Sequence, residues 1–540
     1  MATAAEEAVF SKENGSANDD GGGDNVNKKN ETTILITLPP RGTDEDSFVR
    51  DDPLTDETYS RYGFDPKKNT SDCSYTASRV ANPVYLKNVD PKHNGSAFEH
   101  YGYLTTWSQY DGRLTGNFEK SACGRGRDLM NINFDLYSGV VLAFSAIVGD
   151  QGVNAATIKN AADEYKRKEN EVTFVDPWGD VRSFTNVGFE KYKEIRLPED
   201  FHEDKVQGIV GGLRRINEMR RAEKKPDLPV YICVGGWTQS ERFHHMCKDP
   251  EAMDAFVRSC LDILERFKMV RGFDLDWEYP GTGGEPHNKY GPEDCENFCA
   301  LIRRLKAALP EWCKITVALA GTVENLKNVK VSDLDDAGVD RFFVMTYDYG
   351  GSFDADKRLK HHTNLKPHGP EEHSVHTVVQ YLLLKEGIAS KKIFIGYANY
   401  TRNMKNAILE DTHDSSLEGS FENDSTPIFG TFEHGTSDLP DVLYNYCDFS
   451  GYPINNYTIY TDHVRCAQYL YNEELKTFIS LDTPYSVVKK CEYVKQFHLG
   501  GIFAYPLDND HGLLSNVVAD LFGYRTTADT ITSSDKEILV

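Results

Sequence analysis

Three acids stand at alternate positions near the middle of the chain: Asp274, Asp276 and Glu278. The residues interleaved with them, Phe273, Leu275 and Trp277, are large and apolar. Period two belongs to a β-strand, which turns successive side chains to opposite faces. Amphipathic stretches flank the segment 269–281, and Pro280-Gly281 ends it. A surface strand could carry such a row for solubility, but its other face would not then be so apolar. The pattern predicts a strand covered on both faces, as in a parallel sheet. Three carboxyl groups crowded on one covered face cannot all ionise cheaply, so at least one should hold its proton near neutral pH. A protonated carboxyl beside ionised ones is what general acid catalysis requires. Glu278, nearest the strand's C-terminal end, is the residue placed for that role.

Seven other segments read as strands of the same kind: 101–107, 137–145, 229–234, 315–320, 341–349, 392–398 and 501–507. Helical stretches separate most of them. One opens at Asp249-Pro250, an acid cap followed by proline in the first turn. It carries Met253, Phe256, Val257, Cys260 and Leu264 on one stripe. Eight strands alternating with helices predict an α/β fold, a parallel (β/α)8 TIM barrel. Such a barrel with insertions suits a chain of 540 residues. Its site would lie at the C-terminal strand ends. The barrel is expected in two parts, 99–406 and 481–525. The span between them, 407–480, is rich in Tyr, Asp, Asn and Gly and too long for a plain loop. Residues 1–30 have the composition of a disordered segment. Residues 31–98 read as an irregular arm or small module, with a short strand at 32–38, and 526–540 as a loose polar tail.

The formal net charge of −24 argues against nucleic acid or an anionic membrane as partner and suits a neutral polymer. No run of 18 apolar residues is present, so membrane insertion is not expected. Residues 1–30 lack the apolar core and basic lead-in of a secretory signal peptide. The eleven cysteines are odd in number and include no Cys-x-x-Cys pair. Cys295 and Cys299 share a helical stripe with Phe298, Ile302 and Leu305 and read as buried thiols. His244-His245 and His361-His362 are adjacent pairs, not spaced to share a metal, so neither metal nor cofactor is expected.

The run Arg271-Gly-Phe-Asp274-Leu-Asp276-Trp-Glu278 resembles the Asp-x-x-Asp-x-Asp-x-Glu signature of glycoside hydrolase family 18. Three of its four acids match, and the Trp-Glu-Tyr-Pro-Gly continuation is similar to that of the family's chitinases. The resemblance covers 99–524 and points to the chitinase A-like branch. It implies a small α+β domain inserted between strands seven and eight, walling the substrate groove; Gly430-Thr-Phe-Glu-His-Gly435 resembles part of it. It implies chitin or chitin oligomers as substrate, cleaved with retention by the substrate's own 2-acetamido carbonyl. Glu278 would be the general acid. Asp276 would move between Asp274 and the acetamido N–H.

Further roles follow from the same resemblance. Met345-Thr-Tyr347-Asp348 resembles the family's Met-x-Tyr-Asp, with the Tyr347 hydroxyl donating to the acetamido oxygen. Met345 is either a sugar contact or barrel filling. Cys233-Val-Gly235-Gly236-Trp237 resembles Ser-x-Gly-Gly, whose glycines would allow close backbone approach to the Asp274 region. Tyr400 and Arg402, in a run similar to Tyr-Gly-Arg, would touch sugar; Arg402 could equally pair with an acid of the inserted domain. Tyr505 stands where the family usually has Trp under the reacting sugar, a smaller stacking surface. Trp107, Trp178 and Trp237 are candidate sugar platforms or core residues. Arg271 replaces the signature's first acid, far from the substrate end.

Two other functions fit the same resemblance: a chitin-binding or low-activity subunit, and an endo-β-N-acetylglucosaminidase acting on N-glycans. Retention of Glu278 favours catalysis over binding alone, and an inserted domain favours a deep groove for a linear polymer. Some insect-directed bacterial toxin complexes carry family 18 chitinase subunits that this chain resembles, so other subunits of such a complex are candidate partners. The expected place of action is extracellular.

Overall fold

The computed structural model describes residues 34–36, 95–110, 125–410, 416–424, 426–447, 449, 454–524 and 536–538. The expected segment 1–30 lies outside them, as do nearly all of 31–98 and most of the tail.

Eight parallel strands close into a barrel: β1 (Glu99–Thr105), β2 (Gly139–Ile147), β3 (Val230–Gly235), β4 (Val270–Asp276), β5 (Lys314–Ala320), β6 (Arg341–Met345), β7 (Ile393–Ala398) and β8 (Gly501–Tyr505). Each pairs with its sequence neighbour, and β8 pairs with β1 to complete the ring. A short antiparallel strand, Val172–Thr173, extends the sheet beside the end of β2. The fold is the (β/α)8 barrel that the strand count predicts.

Strands covered on both faces need two cores, and both are present. Outside, β4 turns Phe273, Leu275 and Trp277 into the layer between strands and helices, where Trp277 stacks on Phe243 at 5.4 Å and 10°. Inside, the lumen is packed with Tyr101, Tyr103, Tyr231, Phe343, Phe394 and Phe503. The outer helices bury the stripes read from sequence. Pro250–Arg266 is capped by Asp249, whose side chain accepts from the Glu251 N–H at 2.9 Å. Asp294–Ala308 buries Phe298, Cys299, Ile302 and Leu305. Cys295 differs from expectation. It sits at the stripe's edge and is only half-buried, so only Cys299 of the pair is a core thiol.

Three strands stop sooner than the apolar runs imply. β1 ends at Thr105, before Trp107; β6 ends at Met345, before Tyr347; β8 ends at Tyr505. At β6 the cause is visible. Thr346 Oγ1 donates to Gly396 O and accepts from Gly396 N–H, both at 2.8 Å, so a side chain takes over the ladder's bonds.

Between β7 and β8 an antiparallel sheet runs in the order Arg402–Met404, Thr477–Leu481, Ala467–Asn472, Thr458–Asp462, with the helix Leu439–Asn445 beside it. Its first strand begins at Arg402, upstream of the 407–480 span. A small core of its own, including Met404, Phe421, Tyr469 and Phe478, also takes in Leu359 from the loop after β6. At the termini, Ile34–Ile36 pairs antiparallel with Lys536–Ile538. The short strand expected at 32–38 is thus formed, and part of the expected loose tail is its partner.

Candidate active site

The acid row climbs the lumen towards the C-terminal end of the barrel. Asp274 lies deepest and is fully buried. Three side chains hydrogen-bond its carboxylate: Tyr103 Oη at 2.8 Å, Cys233 Sγ at 3.1 Å and Thr316 Oγ1 at 2.5 Å. Burial raises its pKa, and those three bonds oppose the rise. One step up, Asp276 is 3% exposed, and its Oδ1 has no hydrogen-bond partner among the described residues. Burial, then the charges of Glu278 and Asp274, push its pKa well up. Glu278 is just beyond the end of β4 and 7% exposed. Burial drives its pKa up to about 7; a hydrogen bond from Tyr279 opposes this and the charge of Asp348 adds to it. The row therefore carries fewer charges than carboxyl groups at neutral pH.

Backbone contacts hold the top of the row in place. Gly235 and Gly236, at the end of β3, have φ of +111° and +90°. A Cβ on Gly235 would lie 2.2 Å from the Asp276 carbonyl oxygen. That approach lets the Gly236 N–H donate to Asp276 O at 2.8 Å. The glycines thus serve Asp276, one step above the Asp274 level that the sequence implied. Ser240 Oγ donates to the same carbonyl at 3.0 Å and accepts from the Glu278 N–H at 3.0 Å. Asn288 Nδ2 donates to Glu278 O at 3.0 Å.

Above the row opens a cleft of about 1150 Å³. Asp276, Glu278, Met345, Tyr347, Asp348, Tyr400, Arg402, Tyr505, Trp107 and Trp237 all line it. Asp274 lies beneath. Tyr347 and Tyr505 stack at 5.9 Å and 25°. Burial raises the pKa of Tyr347 well above the usual phenol value, so it stays a donor. Asp348, at φ +62°, accepts from Tyr400 Oη at 2.9 Å and from Arg402 Nε at 2.7 Å. Burial acts to raise the Asp348 pKa; Arg402 and the nearby His362, 3.7 Å away, outweigh it, and the carboxyl stays ionised. Arg402 therefore pairs with an acid of the barrel. Its contact with the insert is to the Thr436 hydroxyl, at 3.0 Å.

Trp107 and Trp237, 39% and 49% exposed, offer ring surface to the cleft. Trp178 does not line it. It stacks on Tyr192 at 5.6 Å on the outer surface. Arg271 lies at the start of β4, over the Trp312 ring at 5.6 Å, with Nη1 donating to Val270 O at 3.1 Å. None of these contacts is with the row of acids.

Sequence reading missed Arg125, Phe144, Phe353, Phe432 and Asp438, which also line the cleft. Arg125 and Phe353 sit on loops and Phe432 and Asp438 in the insert, where no periodicity marks them; Phe144 lies within β2, in a continuous apolar run that does not single it out. It also missed a grouping of His244, Glu293 and Asp294. His244 Nδ1 is 2.7 Å from Asp294, and Lys248 Nζ lies 2.7 Å from His244 Nε2 and 2.5 Å from Glu293. An ammonium thus bridges His244 and Glu293, while Asp294 holds the other ring nitrogen. Asp294 also accepts from Gly281 N–H at 3.1 Å, which ties down the turn after the acid row.

A (β/α)8 barrel with a row of carboxyl groups rising into an aromatic cleft at its C-terminal end defines a glycoside hydrolase. The family is more specific: the Glycosyl hydrolases family 18 model matches residues 99–510, and the chain belongs to that family. Chitinase 1 of Yersinia entomophaga is 31% identical over 91% of this chain and 92% of its own length. Chitinase 2 of the same organism is 32% identical over 93% of this chain and 83% of its own. The crystal structure of the chitinase Chi1, fitted into the Yersinia entomophaga toxin complex, superposes with a TM-score of 0.80 at 30% identity, covering 88% of this chain and 94% of that one. Chitinase ChiA74 from Bacillus thuringiensis, at 22% identity and a TM-score of 0.63, shares the fold.

Proposed function

We propose that this protein is a chitinase that hydrolyses β-1,4 links between N-acetylglucosamine units with retention. The observation that carries the reading is the acid row: a caged Asp274, an Asp276 with an unbonded oxygen, and a Glu278 whose pKa is raised to about 7. Glu278 protonates the leaving glycosidic oxygen as that bond breaks. The substrate's acetamido oxygen attacks the anomeric carbon from the other face, oriented by the Tyr347 hydroxyl. Asp276 takes up the acetamido N–H and offsets the charge on the ring that forms. Its unbonded Oδ1 supports a carboxyl that changes partners. Water then opens the ring, giving its proton to Glu278.

Trp107, Trp237 and Tyr505 would seat sugars on their rings. The insert, called 407–480 from sequence, supplies Phe432, Glu433 and Thr436 to the cleft wall. A walled cleft favours a linear polymer over a branched N-glycan. Retention of Glu278, Asp276 and Tyr347 favours an enzyme over a chitin-binding subunit. The match to Chi1, which sits in a toxin complex, supports membership of a similar assembly acting outside the producing cell.

The test is digestion of a defined series of N-acetylglucosamine oligomers, with products separated by chain length and anomer. Products of the β-anomer support the reading; no cleavage of any oligomer overturns it. Because Glu278 must be protonated to act, kcat/KM should fall about tenfold per pH unit once pH exceeds about 7. It should fall again at low pH, when the last ionised carboxyl of the row takes up a proton. A profile still rising at pH 9 would rule out Glu278 as the acid.

A further inference from the structure

Arg125 stands at one end of the cleft and takes no part in the chemistry above. It follows β1 in the chain, and its partner Asp438 belongs to the insert after β7. In the closed sheet β8 stands between β1 and β7. A contact between these residues therefore passes over the C-terminal end of β8, where Tyr505, Pro506 and Asn509 line the cleft. The contact is two-pronged: Arg125 Nε donates to Asp438 Oδ2 at 2.8 Å, and Nη2 to Oδ1 at 3.1 Å. The side chains are only 20% and 6% exposed, so solvent screens the pair weakly.

The surroundings fit a fixed cation. The guanidinium lies over the Phe432 ring, 5.0 Å from its centre. Burial opposes its charge, but Asp438, Asp508 and Glu433 together outweigh burial and hold the guanidinium ionised. Asp508 is itself anchored to the barrel, accepting from Thr105 N–H and Oγ1, both at 2.9 Å. On the insert side, Asp438 N–H donates to Thr431 Oγ1 at 2.8 Å. Both ends of the pair are thus braced, one on the barrel and one on the insert. Nη1 has no hydrogen-bond partner among the described residues.

We infer that the Arg125–Asp438 pair is a clasp that locks the insert's wall to the barrel over β8 and sets the cleft's affinity for sugars seated beside Tyr505. Arg125 is a positioning residue for Phe432 and Glu433, and its Nη1 donates to a sugar oxygen. The inference rests on the proposed chitinase function, and it concerns ground-state binding, not the bond-breaking step. Removing the guanidinium should therefore move KM and leave kcat nearly alone.

The experiment compares the parent with Arg125→Ala and Arg125→Lys on N-acetylglucosamine hexamer. Arg125→Ala should weaken hexamer binding, read by calorimetry and as KM, about 10–100-fold, as expected for the loss of one charge-assisted hydrogen bond to the sugar. kcat should stay within about threefold. Arg125→Lys keeps the charge but not the fork and should fall between; it carries the test if the alanine variant does not fold. Equal hexamer affinity in parent and variants, or a fall in kcat at constant KM, overturns the clasp. Hexamer cleavage by the parent reports separately on the chitinase reading. An inactive parent refutes that reading, whereas the calorimetric comparison still decides the clasp.

Discussion

Glu278→Gln should reduce kcat on N-acetylglucosamine oligomers by at least about 10²–10⁴-fold, with hexamer affinity changed only a few-fold. The amide keeps the size and shape of the acid, but it cannot give a proton to the leaving oxygen. The backbone around it should not move, because it is held without help from the carboxyl. Ser240 Oγ accepts from the residue 278 N–H, and Asn288 Nδ2 donates to its carbonyl. Folding gives a control. Burial raises the Glu278 pKa to about 7 in the folded state, above its unfolded value. Such an acid stabilises the fold only where it is protonated, so its contribution declines as pH climbs from the unfolded value towards 7. At pH 8 the folded protein carries the cost of a buried charge that Gln does not carry. The variant should then unfold at a temperature no lower than the parent's. Near-parental turnover by a well-folded variant would remove Glu278 from the mechanism and leave Asp276 as the next candidate.

The parts of this site that sequence could reveal are those that obey a period. Alternation alone puts Asp274, Asp276 and Glu278 on one face of β4 and Phe273, Leu275 and Trp277 on the other. A barrel has a definite inside, so that division becomes lumen against outer layer. The same rule brings Met345 and Tyr347 to the cleft, even though β6 ends before Tyr347. Loops obey no period, and there the reading thins out. Arg125 and Asp438 are 313 positions apart, and nothing in either neighbourhood announces a pair. Trp178 shows the opposite failure. A tryptophan in an Asp-Pro-Trp-Gly turn reads as a sugar platform, yet it stacks on Tyr192, outside the cleft. Its location depended on where the excursion between β2 and β3 packs, which is a tertiary fact. The half-exposure of Cys295 is similar: helical spacing marks a stripe but not how far its edge reaches into the core.

Oligomers stripped of every acetyl group should bind but not be cut, because the mechanism proposed above draws its nucleophile from the substrate. Among the described residues, the acids on β4 and just after β6 offer no second carboxylate suited to direct attack. Asp274 is caged by Tyr103, Cys233 and Thr316 below the cleft floor. Asp348 is committed to Tyr400 and Arg402. Asp276 remains, but burial and the charges of its neighbours push its pKa up, which makes it a poor anion and a good hydrogen-bond partner. An Asp276 that shares a proton within the row, in a cleft that also holds the Tyr347 phenol, suits an acetamido group better than an anomeric carbon. The acetamido oxygen would receive the Tyr347 proton donor, and its N–H would meet Asp276. Removing the acetyl group takes away the carbonyl oxygen, which is both the nucleophile and the acceptor for Tyr347. It leaves an ammonium facing the row, which adds attraction and no chemistry, so binding survives while turnover does not. Incubating fully deacetylated and fully acetylated hexamers side by side, with products read by mass spectrometry, separates these outcomes. A thiazoline that copies the cyclised sugar should inhibit, since it resembles the intermediate more than the substrate does. Cleavage of the deacetylated hexamer at rates near those of the acetylated one would require a nucleophile from the protein. Asp276, whose Oδ1 has no hydrogen-bond partner among the described residues, would then be the first candidate and Asp348 the second.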